Sequence, residues 1–295
     1  MNALLEPLVN TRHYIGGGNI AGILGLSPFK TPLDEYLTII GDQEQPSQDQ
    51  LDFFARRKAL EPFAIELFQR ETGKTIVRAN ERYTDREHLF IKAEIDAETV
   101  DENVEIKSVH PLAASHWGDP GGDSIPTYVT AQAMHGLMVN GRRVCYPVAM
   151  IGFDDFRVYR IERDEETIRG IREHAVSFWR NHVERMAPPD AVTSEDVKRL
   201  FKRDSGASKE ATTEIAAAVD ELRLCKAAEK RGEALAEQIK VFMLDATTLT
   251  AGGKSVATWK SQNSTRFDQK AFGAEHPALL ELFKHTTETR VFRLK

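Results

Sequence analysis

The chain is expected to fold as an α/β protein, a mixed central sheet flanked by helices, with a C-terminal region of helices and a β-hairpin attached. Three observations carry that expectation. Strand-like patterns at 76–79, 89–97 and 103–109 are followed by a helical pattern and then by two more strand patterns, the order that a crossover within a mixed sheet produces. Helical stripes stand before and after this group. Met186-Ala187-Pro188-Pro189-Asp190 then interrupts the pattern, and the composition changes, which places a domain boundary after residue 189. The expected domains are 1–189 and 190–295.

Each element has its own signal. The glycine cluster at 16–18 opens a loop and short-helix region, and Pro32 starts a helix running to about Ile40. From Leu51 to Thr72, Phe54, Leu60, Phe63, Ile65, Leu67 and Phe68 fall mainly on one helical stripe, and Gly73 stands at the cap position. The three following strands read as a meander, the second and third alternating with period 2. Pro126 to Asn140 is helical, 144–151 and 157–161 are strands, and 164–185 is a helix that buries Ile168, Ile171, Ala175, Phe178 and Trp179. Beyond the boundary, Ile215, Val219 and Leu222, then Leu235, Ile239 and Phe242, mark helical segments expected to form a hairpin or coiled-coil-like arm. Residues 247–250 and 255–260 form a β-hairpin across Gly252-Gly253, 276–283 a short helix and 289–294 a final strand.

The 295 residues are 41% hydrophobic and 28% charged, which excludes global disorder, and no run of about 18 apolar residues offers a membrane span. Two cysteines far apart exclude a disulfide framework and a thiolate metal site. The first ten residues lack a basic n-region and carry Glu6 and Pro7, so a secretory signal is not expected and the cytoplasm is the default compartment. The net charge of −6 argues mildly against a protein that grips nucleic acid through a broad basic surface. That charge is uneven: residues 1–190 carry −9 and residues 191–295 carry +3.

The stretch that can carry chemistry is Ile91-Lys92-Ala93-Glu94-Ile95-Asp96-Ala97, an acidic turn, and Val104-Glu105-Ile106-Lys107. Asp96 and Glu105 fall on adjacent antiparallel strands, and period 2 places Glu105 and Lys107 on one face. Two carboxylates and the Ile106 carbonyl make an all-oxygen site suited to Mg²⁺ or Mn²⁺. Such an ion lowers the pKa of bound water and neutralises charge on a phosphoryl transition state, while the lysine orients the nucleophile. Acidic-x-Lys also occurs at Asp196-Val197-Lys198 and Asp268-Gln269-Lys270, so a lone triplet is usually surface charge, and context alone brings the first level with that reading. Only the first follows a strand-borne aspartate.

Glu61, in Leu60-Glu61-Pro62-Phe63, lies on the helix before the meander, and Gln132 lies on the helix after it. Glu on a helix, Asp on a strand, Glu-x-Lys on the next strand and Gln on a helix resemble the PD-(D/E)XK nuclease core. With the phrase from Tyr14-Ile15-Gly16-Gly17-Gly18-Asn19 to Leu26-Ser27-Pro28-Phe29, residues 10–185 resemble the YqaJ viral recombinase family, relatives of phage lambda exonuclease. The resemblance implies a restriction-endonuclease-like core and a metal-dependent exonuclease acting 5′ to 3′ on double-stranded DNA ends. It also implies a trimeric ring, a single-strand annealing recombinase as partner, and a bacterial or phage-infected cell. Asp96 and Glu105 would ligate Mg²⁺, Glu61 would support a second ion or its waters, Lys107 would activate the nucleophile, and Gln132 would bind near the scissile phosphate or the lysine. Arg12 is similar to the family arginine that meets the terminal 5′-phosphate. Gly18 stands where the family pattern has serine, so a hydroxyl is lost, although glycine amides at a helix start, with Asn19 beside them, can bind an anion.

Other residues divide between roles. Arg56-Arg57-Lys58 is either a solvated helix face or a DNA phosphate contact. Trp117 stacks on a DNA end or simply packs, and His110, His116 and His135 lack metal-ligand spacing. The Thr258-Trp259-Lys260 and Arg266-Phe267 segments stack on nucleic acid or serve the hairpin core. Two other functions fit the same core: a restriction-like or nicking endonuclease, and a non-catalytic DNA-binding protein on a nuclease fold. Retention of Glu61, Asp96, Glu105 and Lys107 argues against the second.

Overall fold

The computed structural model describes residues 13–42, 45–122 and 124–295. The chain divides into two compact units, Met1–Leu200 and Phe201–Lys295.

In the first unit, α1 (Gly17–Ile23) starts directly in the glycine cluster and α2 (Pro32–Ile40) starts at its proline. Thr31 caps α2 in a reciprocal box with Asp34, and Gly41 closes it in the left-handed region at φ 78°. Next comes α3 (Gln48–Thr72), capped by Ser47 and Gln50 at its start and by left-handed Gly73 at its end. Strands β1 (Arg78–Thr84), β2 (Lys92–Glu98) and β3 (Glu102–Val109) form the expected antiparallel meander. Then α4 (Thr127–Asn140) crosses over and β4 (Val144–Ile151) returns parallel to β3. A parallel pair needs such a connection, and α4 supplies it. β5 (Asp155–Val158) and β6 (Ile161–Glu162) both pair antiparallel with β4, so the order is β1-β2-β3-β4-β5 with β6 beside β5 on the same edge of β4. The fold is mixed α/β with flanking helices, as expected.

Helix α5 (Glu165–Phe178), N-capped by Asp164, continues through a π-helical turn at Trp179–Val183. With α1, α2 and α4 it shares one core containing Ile20, Leu33, Leu137, Ile171 and the sheet residue Cys145. On the opposite face α3 inserts Phe68 between Ala97, Val104 and Val148. Phe68 is fully buried, and its truncation to alanine costs about 3–5 kcal/mol. α6 (Ser194–Leu200) stays with this unit because buried Asp196 accepts hydrogen bonds from Thr31 Oγ1 at 2.9 Å and from the amides of Val192 and Thr193.

Several expectations need correction. Of the expected stripe on α3 only Phe68 is buried; Phe63 is exposed, and Phe54 is exposed where it borders an open cleft. The first strand lies at 78–84 rather than 76–79. Its polar sequence, Arg-Ala-Asn-Glu-Arg-Tyr-Thr, suits an exposed sheet edge and hides the strand from hydrophobic pattern.

In the second unit, the segments expected to form a hairpin or a coiled-coil-like arm are one continuous helix, α7 (Thr213–Met243), since no proline interrupts the 31 residues and Gly232 keeps a negative φ instead of capping the first segment. β7 (Thr248–Ala251) and β8 (Lys254–Thr258) form the hairpin across left-handed Gly252 and Gly253. α8 (Gln269–Glu275) and α9 (Pro277–Leu282) follow, and the expected strand at 289–294 does not form because no strand edge pairs with it. Trp259 is half exposed rather than a hairpin core, and Met243 is the one buried hydrophobic residue among the described residues of this unit.

Candidate active site

Asp96 sits where the sheet is interrupted on both sides. The β2–β3 ladder contains only Ala97 opposite Val104 and Glu98 opposite Asn103, and beyond it Asp96 Oδ2 accepts a hydrogen bond from the Ile106 amide at 2.8 Å. On the β1 side, the ladder runs from Ala79 opposite Ala97 to Glu81 opposite Ile95 and skips Asn80, whose register position faces Asp96. Asn80 is left-handed at φ 57°, a conformation uncommon outside glycine. An extended residue turns its N–H and C=O to the same side, so the Ile106 carbonyl faces the opening in which Asp96 lies.

Period 2 on β3 sends Val104 and Ile106 toward α3 and Glu105 and Lys107 toward α4, where Gln132 waits. These three side chains close a triangle. Lys107 Nζ donates to Glu105 Oε1 at 2.7 Å and to Gln132 Oε1 at 2.8 Å, while Gln132 Nε2 donates to Glu105 Oε1 at 2.6 Å. The packing is close at Gly17: a Cβ there would stand 3.3 Å from Gln132 Cγ, so a larger residue would press on this side chain.

Glu61 approaches from α3, pairing with Lys58 at 2.8 Å. The next residue, Pro62, removes the amide that would bond the Lys58 carbonyl, loosening the helix at this turn. Glu61 and Asp96 line a cleft of about 780 Å³ together with Tyr14, Gly18, Arg82 and Lys92.

The electrostatics are those of crowded carboxylates. Burial pushes Glu105 up to about 7; Lys107 draws it down, and Asp96 and Glu61 push it further up. Burial also raises Asp96, against the pull of Lys107 and the Ile106 amide, and raises Glu61 with help from Asp96. Burial works against the Lys107 charge, yet the Glu105 and Asp96 carboxylates hold its pKa above the usual lysine value. Desolvated oxygen donors that repel one another fit a hard divalent cation, which relieves the repulsion. Among the described residues no three His, Cys, Asp or Glu side chains converge tightly enough to hold an ion, and the Glu61 carboxylate is paired with Lys58. The donor set at hand is therefore Asp96, Glu105 and the Ile106 carbonyl, with Glu61 further off.

The structure treats the expected DNA-binding residues differently. Arg12 lies outside the described residues. Gly18 lines the cleft, with open space around its Cβ position. Asn19 is turned inward: its Oδ1 accepts from the Gly16 amide at 2.9 Å and its Nδ2 donates to buried Glu35 at 2.6 Å. That side chain braces the glycine turn and does not face a ligand. Arg57 lines the cleft, donates to the Ser108 carbonyl at 2.6 Å and lies over the Phe53 ring, and Arg56 is exposed. Trp117 is buried against Tyr159, and His135 is buried with Nε2 on the Lys92 carbonyl. The cleft also holds Tyr14, Arg82, Lys92 and Glu94, which sequence reading had not singled out. The signal for two of them was present, since counting back from Asp96 by twos gives Glu94 and Lys92.

The fold is a mixed α/β sheet flanked by helices, and an aspartate on one strand, Glu-x-Lys on the next, and Glu and Gln from flanking helices are arranged as the resemblance to the PD-(D/E)XK nuclease core implies. Over residues 9–143 the sequence matches the family model of the YqaJ-like viral recombinase domain. The chain is 29% identical to the uncharacterized protein YqaJ of Bacillus subtilis, over 98% of this chain and 93% of that protein. Among solved structures, it is similar to the alkaline exonuclease LHK-Exo of Laribacter hongkongensis, at 16% identity and a TM-score of 0.47, covering 64% of this chain and 94% of that one. It is also similar to a phage-related exonuclease of Haemophilus somnus, at 12% identity and a TM-score of 0.42, covering 59% of this chain and 96% of that one.

Proposed function

We propose that this protein is a Mg²⁺-dependent DNA exonuclease that degrades double-stranded DNA from its ends, 5′ to 3′, leaving single-stranded tails for recombination. The observation that carries the reading is the Glu105–Lys107–Gln132 triangle beside Asp96, at one wall of an open cleft. Asp96, Glu105 and the Ile106 carbonyl would hold Mg²⁺, or Mn²⁺ as a substitute, with Glu61 in support, and the ion would supply Lewis-acid stabilisation of the phosphate oxygens and acidify water. Gln132 fixes the Lys107 ammonium, and Lys107 orients the attacking water and stabilises negative charge as it grows on the phosphate. Lys92, Arg82 and Arg57 offer cations to the DNA backbone along the cleft. By family resemblance the active form is a trimer in the cytoplasm of a bacterial or phage-infected cell, working beside a single-strand annealing recombinase. No described helix is long and apolar enough to cross a membrane.

Digestion of linear and covalently closed circular duplex with Mg²⁺ tests this function. Mononucleotide release from linear DNA alone, starting at the 5′-labelled strand, is the expected result. Cutting of the closed circle assigns the endonuclease reading instead, and absence of any cleavage assigns the non-catalytic one.

A further inference from the structure

Lys58 was grouped above with a basic helix face, yet its ammonium is tied down twice. It pairs with Glu61 Oε2 at 2.8 Å and donates to Asn80 Oδ1 at 2.5 Å, reaching from α3 across to β1. Asn80 is the left-handed residue whose register position faces Asp96, and asparagine is among the few side-chain-bearing residues that tolerate this backbone. The interruption of β1 thus serves to aim an amide oxygen at Lys58. The same ammonium acts electrostatically on Asp96. Two α3 neighbours reinforce the arrangement: Pro62 loosens the turn that carries both Lys58 and Glu61, and Arg57 is committed to the Ser108 carbonyl, leaving Lys58 as the cation of this segment that faces the carboxylates.

We propose that Lys58, tethered by Asn80, is a positioning residue that acts as a resident counter-cation: it occupies Glu61 in the metal-free protein and competes there with the divalent ion. This rests on the metal-dependent reading of the site. Its consequence is an order of availability: with Lys58 in place Asp96 and Glu105 would be open to an ion, and Glu61 would become so only once its ammonium partner is drawn to another anion, such as a DNA phosphate entering the cleft.

The test is calorimetric titration of Mn²⁺ into the full chain without DNA, for the wild type, Lys58→Met, Lys58→Gln and Asp96→Asn, with circular dichroism to confirm folding. A partly exposed ion pair of this kind is worth about 0.2–1 kcal/mol, so both Lys58 variants should bind Mn²⁺ roughly 1.4- to 5-fold more tightly. Asn80→Gly, which keeps the left-handed backbone and removes the tether, should shift affinity the same way by less. Equal or weaker binding in both Lys58 variants, with Asp96→Asn defective, overturns the inference and leaves the metal site standing. Wild-type affinity in Asp96→Asn, or no binding by the wild type, overturns the metal reading itself and the inference with it.

Discussion

Asp96 accepts the Ile106 amide through its carboxylate at 2.8 Å, where the β2–β3 ladder has ended. A side chain thus does the work of a backbone carbonyl, and the strands can part without leaving a buried N–H unpaired. The room so made lies between two carboxylates and a carbonyl. Replacing Asp96 by Ala or Lys107 by Ala should cut hydrolysis by at least about 10²-fold while DNA binding, measured in Ca²⁺ by fluorescence anisotropy, stays within a few-fold of wild type. Near-wild-type turnover in either variant would refute the assigned site.

The pH dependence follows from Glu105, held near 7 in the metal-free fold against the usual carboxylate value. A raised carboxylate stabilises the fold at low pH and loses that contribution as pH climbs through its folded value. The metal-free protein should therefore become less stable between about pH 4.5 and 7 through this group. Divalent ions require the deprotonated form, so the rise in Tm on adding Mg²⁺ should be larger at pH 8 than at pH 6, and binding at pH 6 should release protons. An equal rise at both values would show that Glu105 is not a ligand.

Gln132 makes contact with both ends of the Glu105–Lys107 pair. Gln132→Ala leaves Lys107 with one anchor, and kcat should fall about tenfold or more with KM little changed, the signature of a group that orients the reacting set. A change confined to KM would move Gln132 from orientation to substrate binding.

Gly18 has no atom within 4 Å of a Cβ placed on it and lines the cleft. Gly18→Ser should therefore leave Tm unchanged and raise the preference for 5′-phosphorylated over 5′-hydroxyl ends by several-fold, read from the ratio of kcat/KM values; a hydrogen bond to a charged group is worth about 1.5–3 kcal/mol. An unchanged ratio assigns the loop a purely structural part.

Gly22 presents the opposite case, since a Cβ there would stand 2.5 Å from Glu35 Cγ, in the side chain that holds Asn19. Gly22→Ala should cost about 1–3 kcal/mol in urea denaturation, because overpacking forces buried neighbours off their positions. A cost below 0.5 kcal/mol would mean that Glu35 moves freely, and that Asn19 does not depend on it.

The α/β order, the start of α2, the extent of β4 and the Asp96, Glu105, Lys107 set were all legible in the amino-acid sequence, because each rests on local periodicity or on a short spacing. Gln132 needed the family resemblance to be singled out. The polar edge strand β1 was misplaced, and α7 was divided in two, since hydrophobic pattern says little where few side chains are buried. Asn19 shows the limit most plainly: a polar residue in a glycine turn reads as a ligand contact, and only packing against Glu35 turns it inward.

By itself, then, the sequence determined which residues make up the proposed acidic, metal-binding site, since carboxylate identity and strand period are written in adjacent positions. Only the tertiary structure decided how those residues are held. Asp96 is freed by gaps in two neighbouring ladders, Lys107 is fixed by Gln132 from a crossover helix, and Glu61 is engaged by Lys58 under the hold of left-handed Asn80. Apart from the Lys58–Glu61 pair within α3, these relations join residues 10 to 25 positions apart through backbone interruptions and buried charge, which depend on the whole sheet and its helices rather than on any local run of residues.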